Sequence, residues 1–183
     1  MGPRDTAVSL LLPNNLSQMK YLITVLAAIL LQGSCYGHDH NLATFTIYEK
    51  GGTWLLKVDF TSSAMVAALD NKFQTDSVSE NEVKQAMVAY LKEHVRLKIN
   101  DEQSVRLGVG GIKYASHNSE AIFILQGFDP QWAKLSCHID VFQQNEEQTN
   151  LLRVQILSET YKAFLTAENN YQTDFDRVTM GIE

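Results

Sequence analysis

The stretch that decides the fold is residues 43–60, which read ATFTIYEKGGTWLLKVDF. On both sides of Gly51-Gly52, apolar side chains occupy every second position. This alternation is typical of a half-buried β-strand. Paired glycines accept the positive φ that a tight hairpin turn requires. The stretch therefore predicts two antiparallel strands joined at Gly51 and Gly52.

Beyond this hairpin the pattern becomes helical and then returns to strands. The short segment at residues 62–73 is rich in alanine and predicts a first helix. Ser79 and Glu82 have the spacing of a capping box, which predicts the start of a second helix. Over residues 95–165, apolar and polar side chains alternate again, and frequent turns separate the alternating segments.

This order of elements predicts a mainly β fold. We expect an antiparallel β-sandwich of the immunoglobulin-like kind with about seven or eight strands. One or two helices are inserted after the second strand. Gly110-Gly111 interrupts one strand and predicts a bulge or a sharp bend, because a glycine pair weakens a strand interior.

The composition narrows the class of protein. Of the 183 residues 45% are hydrophobic, and the formal net charge is -6. That charge excludes the broad basic face of a non-specific nucleic-acid binder. The two cysteines, Cys35 and Cys137, are too few for a disulfide-rich scaffold or a four-cysteine zinc site. We expect one domain over residues 38–183.

The first 37 residues are typical of a secretory signal peptide. Lys20 precedes an uninterrupted apolar run over residues 21–31, and small residues follow it. The run is shorter than the roughly 20 residues that a transmembrane helix needs. We therefore expect a signal peptide over residues 1–37 and no membrane span after its removal. The protein is then extracytoplasmic, either periplasmic or secreted.

Both the start and the cleavage site of this segment have two candidate positions. Met19 is a better signal-peptide start than Met1, because it stands directly before the basic residue. Cleavage after Gly37 is favoured. The alternative is a lipoprotein with lipid attached to Cys35, although Gln32 stands where such signals have an aliphatic residue.

The usual catalytic motifs are missing from the sequence. It contains no G-x-S-x-G, no P-loop and no H-E-x-x-H. Cys137 and His138 are neighbours in an alternating strand, so they point to opposite faces and cannot share a metal. We therefore expect a non-enzymatic binding or accessory module with a protein or cell-envelope partner. A hydrolase with dispersed active-site residues is a distant third hypothesis.

The second hypothesis is a periplasmic copper- or nickel-binding protein. Cleavage after Gly37 makes His38-Asp39-His40 the new N-terminus. The α-amine, two backbone amides and the imidazole of His40 provide the square-planar nitrogen set that Cu(II) and Ni(II) prefer. His38 adds a second imidazole. We expect no other cofactor.

The remaining predictions concern Trp54, Trp132, Gln148 and Asn150. Trp54 lies on the hairpin and is predicted to be core. Trp132 follows a proline turn, where exposure would let it stack on a sugar or a partner, although packing is favoured. Gln148 and Asn150 lie two apart and face one side of a strand. We predict that their amides bond the backbone of the loop at residues 143–147.

Several segments in their order resemble a known family. They are His38, Leu56-Lys57-Val58-Asp59-Phe60, Tyr90-Leu91, Leu97-Lys98-Ile99-Asn100, Phe142 and Gln148-Thr149-Asn150-Leu151-Leu152-Arg153-Val154. Over most of residues 38–175 the chain resembles small secreted or periplasmic proteins of Gram-negative gliding-type bacteria, known only as a domain of unknown function. The resemblance implies a β-rich extracytoplasmic domain without an established activity.

The chain departs from this family at two points. It has His38-Asp39 where family members commonly begin with His-Pro. It has Thr61-Ser62-Ser63 where they often carry an acidic pair after the second strand. An acidic site at that place is therefore not expected in this chain.

Overall fold

The computed structural model describes residues 41–69, 79–179 and 181. These residues form nine strands and two α-helices: β1 (Leu42–Lys50), β2 (Thr53–Thr61), α1 (Ser62–Leu69), α2 (Glu80–His94), β3 (Val95–Ile99), β4 (Gln103–Lys113), β5 (Asn118–Gln126), β6 (Lys134–Ile139), β7 (Thr149–Ile156), β8 (Glu159–Leu165) and β9 (Gln172–Asp176). A short 3₁₀ helix, Ala167–Asn169, joins β8 to β9. The described part of the chain is therefore mainly β, as predicted, with both helices after the second strand.

The nine strands form one mixed sheet. Its order is β8-β7-β1-β2-β5-β4-β3-β6-β9, and every pair is antiparallel except β1 with β7. Strand β4 joins the two parts of the sheet, since Val105 pairs with Leu97 on β3 and Arg106 pairs with Gln126 on β5. The end strands β8 and β9 also approach each other. The sheet is thus nearly closed and barrel-like, and the immunoglobulin-like sandwich is not confirmed.

The predicted hairpin between β1 and β2 is confirmed. Gly51 and Gly52 have φ values of +60° and +77°, in the left-handed region where glycine is favoured. Lys50 pairs with Thr53 across this turn. The alternating apolar side chains of both strands point into the core, where Phe45 and Leu56 are fully buried.

The predicted capping box opens α2. The Ser79 hydroxyl accepts a hydrogen bond from the backbone N–H of Glu82, and the Glu82 carboxylate accepts one from the backbone N–H of Ser79. Met87 and Leu91 on the apolar face of α2 join the common core. Helix α1 covers the first part of the predicted segment, and residues 70–73 lie outside the described residues.

Two irregularities of the sheet bear on the sequence predictions. The register of β4 against β5 shifts between Val109 and Gly111, which confirms the predicted bulge. Strand β9 was not predicted. It is a short edge strand in which Phe175 alone is buried, so it shows little alternation. Among the described helices, none is long and apolar enough to cross a membrane.

Candidate functional site

The carboxylate of Asp140 is the centre of the candidate site. Asp140 follows β6 directly and is only 6% exposed. Its Oδ1 lies 2.9 Å from Nδ1 of His94, and its Oδ2 lies 3.0 Å from Nη2 of Arg96. Nε2 of His138 lies 3.6 Å from the same Oδ2. Three basic side chains therefore converge on one buried carboxylate.

Strand pairing brings these four side chains together. Helix α2 ends at His94 and continues without a break into β3, which places His94 and Arg96 two residues apart. Arg96 pairs with His138 across β3 and β6, and Asp140 follows His138 by two residues. The backbone N–H of Asp140 also donates to the carbonyl of His94, at 3.2 Å. Side chains two apart on a strand face the same side, so all four can meet.

The backbone around Asp140 is held by the amide of Asn150. Nδ2 of Asn150 donates to the carbonyls of Ile139 and Val141, at 2.9 and 3.0 Å. Nε2 of Gln148 donates to Oδ1 of Asn150 at 2.8 Å and to the carbonyl of Thr149 at 3.1 Å. The Asn150 amide thus bonds the residues that flank Asp140 rather than the predicted loop at residues 143–147, and the Gln148 amide bonds Asn150 and its neighbour.

Two aromatic residues beside the cluster have strained backbones. Phe142 and Tyr171 have φ values of 60° and 56°, which bulky residues rarely adopt. The Tyr90 hydroxyl accepts a hydrogen bond from the N–H of Phe142 at 2.8 Å. The carbonyl of Tyr171 accepts one from the N–H of Ile139 at 2.9 Å. Strained residues of this kind cluster at functional sites, where the surroundings hold them in place.

The charges of the cluster follow from its burial. Desolvation lowers the pKa of His138 from its usual value, and the positive charges of Arg96 and His94 act in the same direction, while Asp140 opposes them. His138 is therefore neutral near neutral pH. Burial raises the pKa of Tyr90 and of Tyr171, which keeps both side chains as neutral phenols.

A polar groove of about 370 Å³ lies beside the cluster, on the outer face of β3, β6 and β9. The strand register places two rows of side chains across it, Arg96–His138–Gln172 and Lys98–Ser136–Asp174. A further cavity of about 500 Å³ shares His138 and Gln172 with the groove and reaches Asp140 and Tyr171.

The charged side chains of this polar groove differ in their pairing. Lys134 lies 2.8 Å from a carboxylate oxygen of Asp101 and 3.1 Å from one of Asp174. Lys98, in the same cross-strand row as Asp174, is exposed and has no ion-pair partner among the described residues. Lys98 therefore provides an uncompensated positive charge next to Arg96.

The chemistry of the cluster is compatible with acid–base work or with binding. A carboxylate on Nδ1 orients an imidazole, as it does for a general base. In the described part of the chain, however, neither His94 nor His138 contacts a hydroxyl or a thiol that could serve as a nucleophile. In the same residues, no group of three or more His, Cys, Asp or Glu side chains is arranged to hold a metal ion.

The predicted metal and lipid sites lie elsewhere. His38, His40 and Cys35 are outside the described residues, so the copper or nickel site and the lipoprotein alternative stay predictions. Cys137 is buried, which raises the pKa of its thiol, and His138 faces the polar groove on the other side of the strand.

The structure agrees with the favoured prediction for one tryptophan and not for the other. Trp132 is fully buried, in agreement with the favoured interpretation, and so its ring is not available to stack on a ligand. Trp54 was predicted to be core, but it is only partly buried and lines an open pocket.

Sequence reasoning did not find the cluster at Asp140. The available signal was the pair of patterns His94-x-Arg96 and His138-x-Asp140, each of which places two polar side chains on one face of a strand. Their meeting depends on the register of β3 against β6, which no local pattern specifies.

Comparison with known proteins adds no assignment. A scan against protein-family models finds no match, and a search of the curated proteins finds none either. The resemblance to a domain of unknown function therefore stays a prediction.

Proposed function

We propose that the protein is an exported, non-enzymatic binding or accessory module whose ligand contacts the polar groove of β3, β6 and β9. The observation that carries this proposal is the pair of cations on the β3 side of the groove. The unpaired Lys98 lies on the same strand and face as Arg96, which Asp140 holds at 3.0 Å. A preorganised cation next to a free one favours a ligand with an anionic group.

The carboxylates of the polar groove set a limit on that ligand. Asp101 and Asp174 share one cation, Lys134. A second anionic group of the ligand would be repelled near these two carboxylates, whereas a hydroxyl or ammonium group would be accepted. The proposed ligand is therefore a polar molecule, or a side chain of a protein or cell-envelope partner, with one anionic group. The signal-peptide pattern of residues 1–37 supports export.

The test is a titration of the purified protein with acetate and with inorganic phosphate, followed by amide NMR shifts. We expect shifts at Lys98 and Ser136 that weaken severalfold in Lys98→Ala, because the free cation is lost. Lys113→Ala removes another exposed lysine from β4 and is the matched control. Equal shifts in both variants, or none in the parent, would contradict the proposal. Hydrolase activity abolished by one substitution would contradict its non-enzymatic part.

The copper or nickel hypothesis has a separate test, because it depends on one cleavage position. Intact mass of the exported protein fixes the new N-terminus. If this is His38, titration with Cu(II) should give the visible absorption of a square-planar nitrogen site, and His40→Ala should abolish it. A lipid-bearing Cys35 at the N-terminus would exclude this site.

A further inference from the structure

A third open pocket lies at the end of β6 that is remote from Asp140. It has a volume of about 570 Å³ and lies between the β1–β2 hairpin, the loop before β6 and the end of β7. Pockets for small ligands typically have volumes of roughly 300–1,000 Å³. We name it the aromatic pocket, and the side chains that matter here are Tyr48, Trp54, Gln131, Gln155 and Leu157.

The aromatic surface of this pocket is held in place by packing against the core. The ring of Trp54 packs against Phe128 with a distance of 4.9 Å between ring centroids. Trp54 and Tyr48 are both only partly buried, so parts of their side chains remain at the pocket surface. Leu157 is 94% exposed and extends the apolar surface at the rim. Large, preoriented rings offer contact area at little entropic cost.

The polar groups of the aromatic pocket are amides without partners. Gln131 and Gln155 are exposed, and neither side-chain amide has a hydrogen-bond partner within the described residues. A primary amide offers two donors and one acceptor. Both amides can therefore pair with groups that donate and accept at once, as hydroxyl groups do.

The charged residues of the pocket hold its walls. Oε1 of Glu49 accepts a hydrogen bond from the N–H of Gly52 at 2.9 Å, which braces the hairpin turn. Nη1 of Arg177 donates to the carbonyl of Pro130 at 2.7 Å, which braces the loop before β6. One negative and one positive side chain leave the pocket without net formal charge, so it does not select an ion.

We propose that the aromatic pocket binds a neutral saccharide. The C–H face of a sugar ring packs on Trp54, and sugar hydroxyls pair with the amides of Gln131 and Gln155. A proline-rich peptide would also fit an aromatic surface, but its proline rings offer no donor to the amide oxygens. The unpartnered amides therefore favour the saccharide.

The experiment is a titration of the purified protein with cello-, malto- and N-acetylglucosamine oligosaccharides, followed by the indole N–H resonances. Trp54→Phe assigns the Trp54 resonance, and the fully buried Trp132 serves as the internal reference. We expect at least one oligosaccharide series to shift the Trp54 resonance in a saturable way and to leave that of Trp132 in place.

Glutamine variants test whether the saccharide binds in the aromatic pocket. Gln155→Ala and Gln131→Ala change exposed side chains and should fold normally, and each should weaken binding by about tenfold. Gln85→Ala removes an exposed glutamine from α2 and should leave binding unchanged. Three results would overturn the proposal: no saccharide shifts the Trp54 resonance, binding survives both glutamine variants, or a proline decapeptide binds at Trp54 where the saccharides do not.

Discussion

The two ends of β6 use polar side chains in opposite ways. At the end that leads into Asp140, the polar groups are engaged within the protein, since three basic side chains contact one carboxylate and Asn150 bonds two buried carbonyls. At the end near Pro130, Gln131 and Gln155 have no partners for their side-chain amides in the described part of the protein. A hydrogen-bonded buried network fixes a shape, even though Oε1 of Gln148 has no partner among the described residues, whereas free amides beside aromatic rings remain available to a ligand. The network at the first end therefore supports the wall of the polar groove, and the amides at the second end are themselves open to a ligand.

The largest expected effect concerns the packing of Trp132 at the end of β6 near Pro130. Trp132→Ala should lower the free energy of unfolding by about 3–5 kcal/mol, because a fully buried ring leaves a cavity. Trp132→Phe should cost much less, since a phenyl ring refills most of the site and Nε1 of Trp132 has no hydrogen-bond partner among the described residues. Denaturant unfolding of both variants measures the difference. Equal losses would mean that a phenyl ring does not refill the site.

The next effect tests the polar end. Asn150→Ala leaves the carbonyls of Ile139 and Val141 without a donor, at a cost of roughly 1–3 kcal/mol for each buried group. We expect a lower melting temperature, with the ligand binding of the folded fraction unchanged. Gln143→Ala, an exposed amide in the following loop, is the matched control and should change stability by less than about 0.5 kcal/mol. If Asn150→Ala melted like the parent but lost a ligand, the pair Gln148 and Asn150 would be a recognition site.

The features that could be predicted from sequence are those with local causes. Two glycines forced the β1–β2 turn, and Ser79 with Glu82 fixed the start of α2, because each depends on neighbours within a few residues. The bulge at Gly110-Gly111 follows the same logic. Alternation along the strands then gave most of the buried faces.

The features that sequence reasoning missed depend on distant partners. Closure of the sheet requires the parallel pairing of β1 with β7, more than a hundred residues apart along the chain, and no turn specifies it. The cluster at Asp140 depends on one register between β3 and β6. The partial exposure of Trp54 depends on which loops cover its ring, so an alternating pattern alone assigned Trp54 to the core.

The smallest expected effect is a pH dependence of the free energy of unfolding that comes from His138, at the end of β6 that leads into Asp140. Desolvation lowers the pKa of His138 in the folded protein below its usual value of 6.5. As pH falls through that value, the unfolded chain binds a proton that the folded protein does not, so the free energy of unfolding decreases. The stability contribution of the neutral imidazole is therefore present above about pH 6.5 and is lost as pH falls toward the folded pKa.

His138→Gln removes this proton uptake and retains a neutral polar side chain. The melting temperature of the variant should therefore fall less than that of the parent between about pH 7 and about pH 5. His94, Arg96 and Asp140 face His138 and remain in both proteins, so they are common to the comparison. His117→Gln, at an exposed turn, is the matched histidine-to-glutamine control. A parental profile in His138→Gln would mean that the imidazole of His138 is not desolvated in the folded protein.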